Sequence, residues 1–230
     1  MFSHIAGRYE WFDHIATFGS DFLWRVRALW ELPRCFPLVV RRALDIGCGT
    51  GEFARAVAHR YPAAEVVAAD FTRAMVVRAS ESGVERPHRS GFVRATALRL
   101  PFPDATFDLV TNGFLLRNLP SLTPAFREMR RVLRPGGVLL SLELGEPVPP
   151  LFGRLFHAYF DHVVPILGRA VGSEGPYRYL PESLRGLPSR ADLVEILRDS
   201  GFPRATARLQ SMGIVTAFYA EAGTIGDQSR

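Results

Sequence analysis

The chain has 230 residues, enough to bury one full core, and its 47% hydrophobic and 22% charged residues mark a globular chain and not a disordered one. Its formal net charge is +5 with a pI of about 9.7, and all 28 of its Lys-plus-Arg positions are arginine. Two cysteines, Cys35 and Cys48, make neither a disulfide framework nor a zinc pattern, and no apolar run reaches the ~20 residues of a membrane span.

Arginine excess fits nucleic acid, anionic membrane or acidic substrate; with alanine abundant and lysine absent, it reads mainly as genome composition. The opening, MFSHIAGRYE, lacks a basic segment followed by an apolar one, so no signal peptide is expected and the default address is cytoplasmic. Tyr9, Trp11, Phe12, Phe18, Phe22, Trp24 and Trp30 crowd an N-terminal cap over 1–40. Within it, 20–32 has helical spacing with Phe22, Val26, Leu29 and Trp30 assigned to one side, as a helix on the sheet edge or a lid over an apolar substrate.

The core, 41–146, opens on RRALDIGCGTGEF. A short apolar run, a glycine-rich turn and a helical pattern predict strand, tight loop and helix N-terminus. Such a loop lets a ligand lie against bare backbone, with unpaired N–H groups beside it. A dinucleotide fingerprint started at Gly47 needs glycine at position 52, where Glu52 stands, and a P-loop needs a lysine. What remains is D-x-G-x-G-x-G, built from Asp45, Gly47, Gly49, Thr50 and Gly51, with Cys48 as a small filler. Asp70 ends the next apolar run, EVVAAD, where a neighbouring parallel strand sets its carboxylate beside the loop to accept from ribose hydroxyls.

Strand and helix then alternate, which predicts an α/β doubly wound sheet, mostly parallel and covered on both faces. The expected elements are strand 42–47, helix 51–60, strand 64–70, a helix capped by Thr72 and running to about Ser82, and strand 91–95. Prolines at 101 and 103 keep ATALRLPFPDATF irregular, and FDLVTNG at 107–113 is the fourth strand. Thr123 and Pro124 open a helix to Arg134, and PGG turns it into VLLSLEL. An apolar insertion, 147–188, breaks the alternation where substrate specificity usually sits. Ser189 and Asp192 cap a helix ending at Ser200-Gly201, followed by an antiparallel C-terminal hairpin, 204–209 with 212–220, in a closing segment 189–220 and a frayed tail 221–230. All of this is one domain.

The loop with Asp70 resembles the class I S-adenosylmethionine (SAM) methyltransferases, whose fold is a Rossmann-like doubly wound sheet. Three further blocks make the chain similar to the ubiquinone/menaquinone biosynthesis C-methyltransferase family over nearly its whole length. They are IAGRYEWFDHIATFGSDFLWR, then FLLRNL at 114–119 with REMRRVLRPGGVLLSLELGEP, and finally YRYLPESLRGLPSRADLVEILRDSGF. Departures occur where the family carries Asp or Asn for the adenine amino group and this chain has Thr96 followed by Ala97. A hydroxyl position before Phe114 is Gly113, and a family glycine is Leu115, narrowing the pocket beside Arg117.

The resemblance implies SAM as cofactor and carbon methylation of a hydrophobic reduced quinone, with Arg117 and Asn118 as catalytic residues. Arg117 would stabilise a phenolate and Asn118 orient the hydroxyl or a proton-carrying water, with a water or nearby acid completing proton removal. The alternative for Arg117 is a surface ion pair with an acid such as Glu128, and Tyr177 and Tyr179 are placed near the ring site or in packing. Peripheral contact with an anionic membrane surface is expected, no nucleic acid partner, and monomer or homodimer stays open. His157 and His162 flank Asp161 at a spacing that does not share one helix face, and no metal site is expected. Nucleic-acid methylation is disfavoured because NGFL stands where an Asn/Asp-Pro-Pro-aromatic motif belongs and no Pro-Cys occurs. A small-molecule O- or N-methyltransferase and a non-catalytic subunit of a quinone-synthesis complex are the competing readings.

Overall fold

A computed structural model describes residues 20–81, 90–145, 147, 148, 153 and 186–223. Most of the insertion, with His157, Asp161, His162, Tyr177 and Tyr179, falls outside the described residues, as do 1–19 and the tail from 224.

The first described element is α1 (Ser20–Cys35). The core then runs β1 (Arg42–Ile46), α2 (Glu52–Arg60), β2 (Glu65–Asp70), α3 (Arg73–Glu81), β3 (Ser90–Arg94) and β4 (Phe107–Gly113). A short 3-10 turn (Leu116–Asn118) leads to α4 (Leu122–Val132) and β5 (Leu133–Leu144). The chain closes with α5 (Arg190–Asp199), β6 (Arg204–Gln210), a turn (Ser211–Gly213) and β7 (Val215–Glu221). These form one sheet in the order β3-β2-β1-β4-β5-β7-β6, in which β7 alone runs against the others. The doubly wound α/β sheet with a C-terminal antiparallel pair is therefore present as the sequence predicts.

Period-two alternation divides the core into two layers. Ala43, Val66, Ala68, Leu109, Leu140, Leu142 and Tyr219 face one side, where α1 and α2 pack. Leu44, Ile46, Val67, Ala69, Val110, Leu139 and Phe218 face the other, against α4 and α5. Two buried polar rungs cross the sheet between register partners: Thr111 donates to Asp45 at 2.8 Å, and Ser141 donates to Asn112 at 2.6 Å.

Three local expectations need correction. α1 buries Asp21, Trp24, Ala28, Leu29 and Leu32, whereas Phe22 and Trp30 are exposed. The face is chosen by the 3.6-residue spacing of Trp24, Ala28 and Leu32, not by the largest rings, and it packs over β5 and β7 rather than the sheet edge. Tyr219 donates to Ala28 O at 3.1 Å beneath it. α4 starts at Leu122 behind Ser121, so Pro124 is its third residue, tolerated because first-turn N–H groups have no partner within the helix. Finally, Leu133 already pairs with Phe107, and 134–137 bulge before Val138 pairs with Leu109. Gly136 N–H and Gly137 O bind Ala222, so the PGG segment lies within β5 instead of preceding it. The Ser189 cap forms as predicted, its hydroxyl accepting from Asp192 N–H at 3.2 Å.

Candidate active site

The carboxyl ends of β1, β2, β4 and β5 meet along one edge, where parallel sheets open toward ligands. At the end of β1, Gly47 and Gly49 have φ of 67° and 54°, the left-handed region that side chains resist. A Cβ on Gly47 would lie 2.8 Å from Leu115 Cδ1, so any side chain there would also have to displace the tip of Leu115. At Gly49 nothing stands within 4 Å of that position, and the backbone opens onto the cavity. Gly47 and Cys48 N–H groups donate to Ala69 O, tying the loop to β2.

Asp70 completes the tie. Its Oδ2 accepts from Gly49 N–H at 3.0 Å and its Oδ1 from Thr72 N–H at 2.7 Å. Burial pushes its carboxyl above the ordinary value, against these hydrogen bonds. The Thr72 side chain also hydrogen-bonds this carboxylate, and with about four lone-pair sites its acceptor capacity still extends to a ligand hydroxyl. Asp45 plays a different structural part. It is 1% exposed and lies beneath the loop, accepting from Ala54 N–H and from Thr111. Burial pushes its carboxyl up to about 7, with neighbouring Asp70 adding to the shift.

All the sequence-assigned residues except Asp45 and Gly51 line one cavity of about 510 Å³. Gly51 instead caps α2 beside Ala79. Thr50 and Cys48 are on the wall, and burial pushes the Cys48 thiol far up, which removes it as a nucleophile. Thr96 and Ala97 lie in a tight turn where Thr96 Oγ1 accepts from Leu98 N–H at 3.3 Å. The chain beyond this turn is clamped by Arg131, which donates to Leu100 O, Phe102 O, Asp104 and Glu128. Glu128 also accepts from Leu100 N–H at 2.7 Å, and its hydrogen bonds with Arg131 hold its carboxyl below the usual range.

Gly113 ends β4, and Phe114 follows at φ 58°, an uncommon conformation for an aromatic residue. Phe114 N–H donates to Leu142 O at 2.7 Å and Asn118 Nδ2 donates to Phe114 O at 3.1 Å, fixing the turn that carries Arg117 and Asn118. Arg117 is not on the surface: its side chain is 4% exposed and pairs at 2.7 Å with the fully buried Glu143 at the end of β5. The alternative pairing with Glu128 is corrected, since Glu128 is engaged by Arg131 on the other side of the loop. Guanidinium groups of Arg25 and Arg117 each sit 5.6 Å from the centre of the Phe114 ring.

Several wall residues escaped the sequence reading. Arg25 of α1 pairs with Asp21 at 2.7 Å and with Glu52 of α2 at 3.1 Å, joining the N-terminal helix to the glycine-loop helix at the cavity. Arg25 was legible as the last residue of the FGSDFLWR block, and Glu143 as the one charge within VLLSLEL.

These residues fit SAM. Asp70 faces the cavity with acceptors for a ribose, the turn at 95–98 offers a wall for adenine, and the open backbone at Gly49 admits an extended methionyl chain. With Arg25 balancing one of them, Asp21, Glu52 and Asp70 leave this part of the cavity net negative, which suits a cofactor with net positive charge.

The profile of the ubiE/COQ5 methyltransferase family matches residues 1–221. The chain is 40% identical to the demethylmenaquinone methyltransferase of Deinococcus radiodurans, over 93% of this chain and 88% of that protein. It is 35% identical to the ubiquinone/menaquinone biosynthesis C-methyltransferase UbiE of Syntrophotalea carbinolica, over 95% and 91%. Among solved structures, a SAM dependent methyltransferase from Aquifex aeolicus has a TM-score of 0.61 at 19% identity, covering 86% of this chain and 88% of that one. Phosphoethanolamine N-methyltransferase 2 of Haemonchus contortus, solved with SAM, has a TM-score of 0.61 at 17% identity, covering 86% and 52%. These structures share the fold. The chain belongs to the ubiE/COQ5 methyltransferase family and uses SAM as its methyl donor.

Proposed function

We propose that the chain methylates a ring carbon of a reduced, prenylated quinone, a demethylmenaquinol or related quinol. The observation that carries this reading is that Arg117 and Asn118 line the same cavity as the glycine loop and Asp70. Relatives named for demethylmenaquinone methylation support it. SAM, when bound, supplies a methyl group already activated by its sulfonium.

The protein's share is holding and proton handling. Asp70 and the turn at 95–98 fix the cofactor, and orientation of the reacting partners contributes most of the rate. Arg117, held at the cavity edge, stabilises negative charge on a quinol oxygen, which raises electron density at the adjacent ring carbon. A guanidinium stays protonated at working pH and does not act as the base. Asn118 orients the hydroxyl, or a water that carries the proton away.

Methyl transfer from labelled SAM to a panel of reduced rings tests this: a short-tailed demethylated naphthoquinol, a benzoquinol and a catechol. We expect transfer to a quinol and a loss of roughly a hundredfold or more in kcat for Arg117→Ala. Transfer confined to the catechol oxygen would replace this reading with a small-molecule O-methyltransferase. SAM binding without turnover on any of these rings would mean a different substrate, and loss of both SAM binding and turnover would leave a non-catalytic role.

Peripheral contact with an anionic membrane is part of the same proposal, since a prenylated acceptor resides in lipid. Its support is the exposed Phe22, Leu23 and Trp30 of α1 on a chain of net charge +5. Among the described residues no helix is long and apolar enough to cross a membrane. Flotation with anionic vesicles at low salt should carry the protein upward, and protein left at the bottom would refute the contact.

A further inference from the structure

We propose that Glu143 is the positioning residue for Arg117, holding both its main chain and its guanidinium at the acceptor end of the cavity. This rests on the reading of Arg117 given above.

Glu143 is fully buried in β5 and does not line the cavity, so it reaches the reaction only through another side chain. Its Oε1 accepts from Arg117 Nη1 at 2.7 Å and from Leu144 N–H at 2.9 Å. Its Oε2 accepts from Arg117 N–H at 3.2 Å. One carboxylate thus grips the backbone and the side-chain tip of the same arginine, which fixes both where the residue starts and where its charge ends. The Phe114 ring, 5.6 Å from the guanidinium carbon, walls the side chain further.

Stability does not account for such a pair. Desolvation of two buried charges often cancels their attraction, and well-packed apolar residues do as well or better. Direction does account for it. An arginine side chain has many rotamers, and stabilising a developing oxyanion requires a donor already aimed. A fixed guanidinium in the turn after β4, braced from β5, meets that requirement without exposing the brace to substrate.

The test compares Glu143→Gln and Glu143→Asp with wild type and Arg117→Ala in quinol methylation, with SAM affinity measured by calorimetry. Glu143→Asp keeps the charge but shortens the reach, so it addresses positioning even if the neutral variant fails to fold. We expect kcat to fall roughly tenfold or more in each Glu143 variant, with SAM Kd and quinol KM changed by less than about threefold. In an Arg117→Ala background, Glu143→Asp should cost nothing further, because the two residues act as a unit. Added guanidinium should partly restore Arg117→Ala and not Arg117→Ala/Glu143→Asp. Wild-type kcat in Glu143→Asp, or an equal loss in both backgrounds, would overturn the proposal alone. Absence of quinol methylation by the wild-type protein would overturn the functional reading and this proposal with it.

Discussion

Gly47 shows how a single residue joins sequence, geometry and chemistry. Its φ of 67° is strained for any side chain, and its missing Cβ leaves room for Leu115. Gly47→Ala should lower stability by about 1–3 kcal/mol and weaken SAM binding. Adding Leu115→Ala should recover the steric part but not the backbone part, so a partial rescue in thermal melts is expected, and full rescue would mean that φ costs nothing here. At Asp70, Asp70→Asn replaces one acceptor with a donor facing Gly49 N–H or Thr72 N–H, and SAM Kd should rise roughly tenfold or more. Asp45 titrates in the opposite sense from a paired surface carboxylate. Its folded value is raised from 3.8 to about 7, so its stabilising contribution is fullest below the unfolded value and declines as pH rises toward 7. Relative to Asp45→Asn, the wild-type protein should lose up to about 4 kcal/mol between pH ~4 and pH ~8. Urea midpoints at the two pH values measure it, and an unchanging difference would contradict the burial argument. Both aspartates were legible as strand-end acids, but their division of labour was not. Which oxygen meets Thr111 and which meets Gly49 depends on strand register, and register is not written in either segment.

At the scale of elements, the chain's alternation specified nearly every strand, because parallel strands buried on both faces read as short apolar runs between turn residues. The misreadings share a cause: they turn on which of several local signals tertiary packing selects. α1 had more aromatic residues than its buried face could take, and Trp24 was chosen over Phe22 and Trp30. Long-range ion pairs were equally invisible, Arg117 with Glu143 across 26 positions and Arg131 with Asp104 across 27. The Arg131 clamp shapes a wall of the site from a distance. Arg131→Ala should release the loop holding Leu100 and Phe102, lowering stability by about 1–3 kcal/mol, discounted for its partial exposure, and weakening SAM binding several-fold. Calorimetry and melts together check this, and unchanged SAM affinity would show that the turn at 95–98 stands without the clamp.

For the molecule as a whole, the sheet brings to one edge what the sequence scatters over about a hundred residues: Asp21 and Arg25 from α1, the glycine loop, Asp70, and the Arg117 turn. The glycine loop and Asp70 line the same cavity as the buried Arg117 cation, an arrangement that supports the proposed transfer of a methyl group onto an electron-rich ring. In the proposed reaction this methyl arrives on carbon. The most direct measurement is the 13C NMR spectrum of the product formed from 13C-methyl SAM and a demethylated naphthoquinol. We predict a single new aryl-methyl resonance whose rate of appearance falls roughly a hundredfold or more when Arg117→Ala replaces the wild-type enzyme. A methoxy resonance, or an aryl-methyl resonance undiminished in Arg117→Ala, would contradict it.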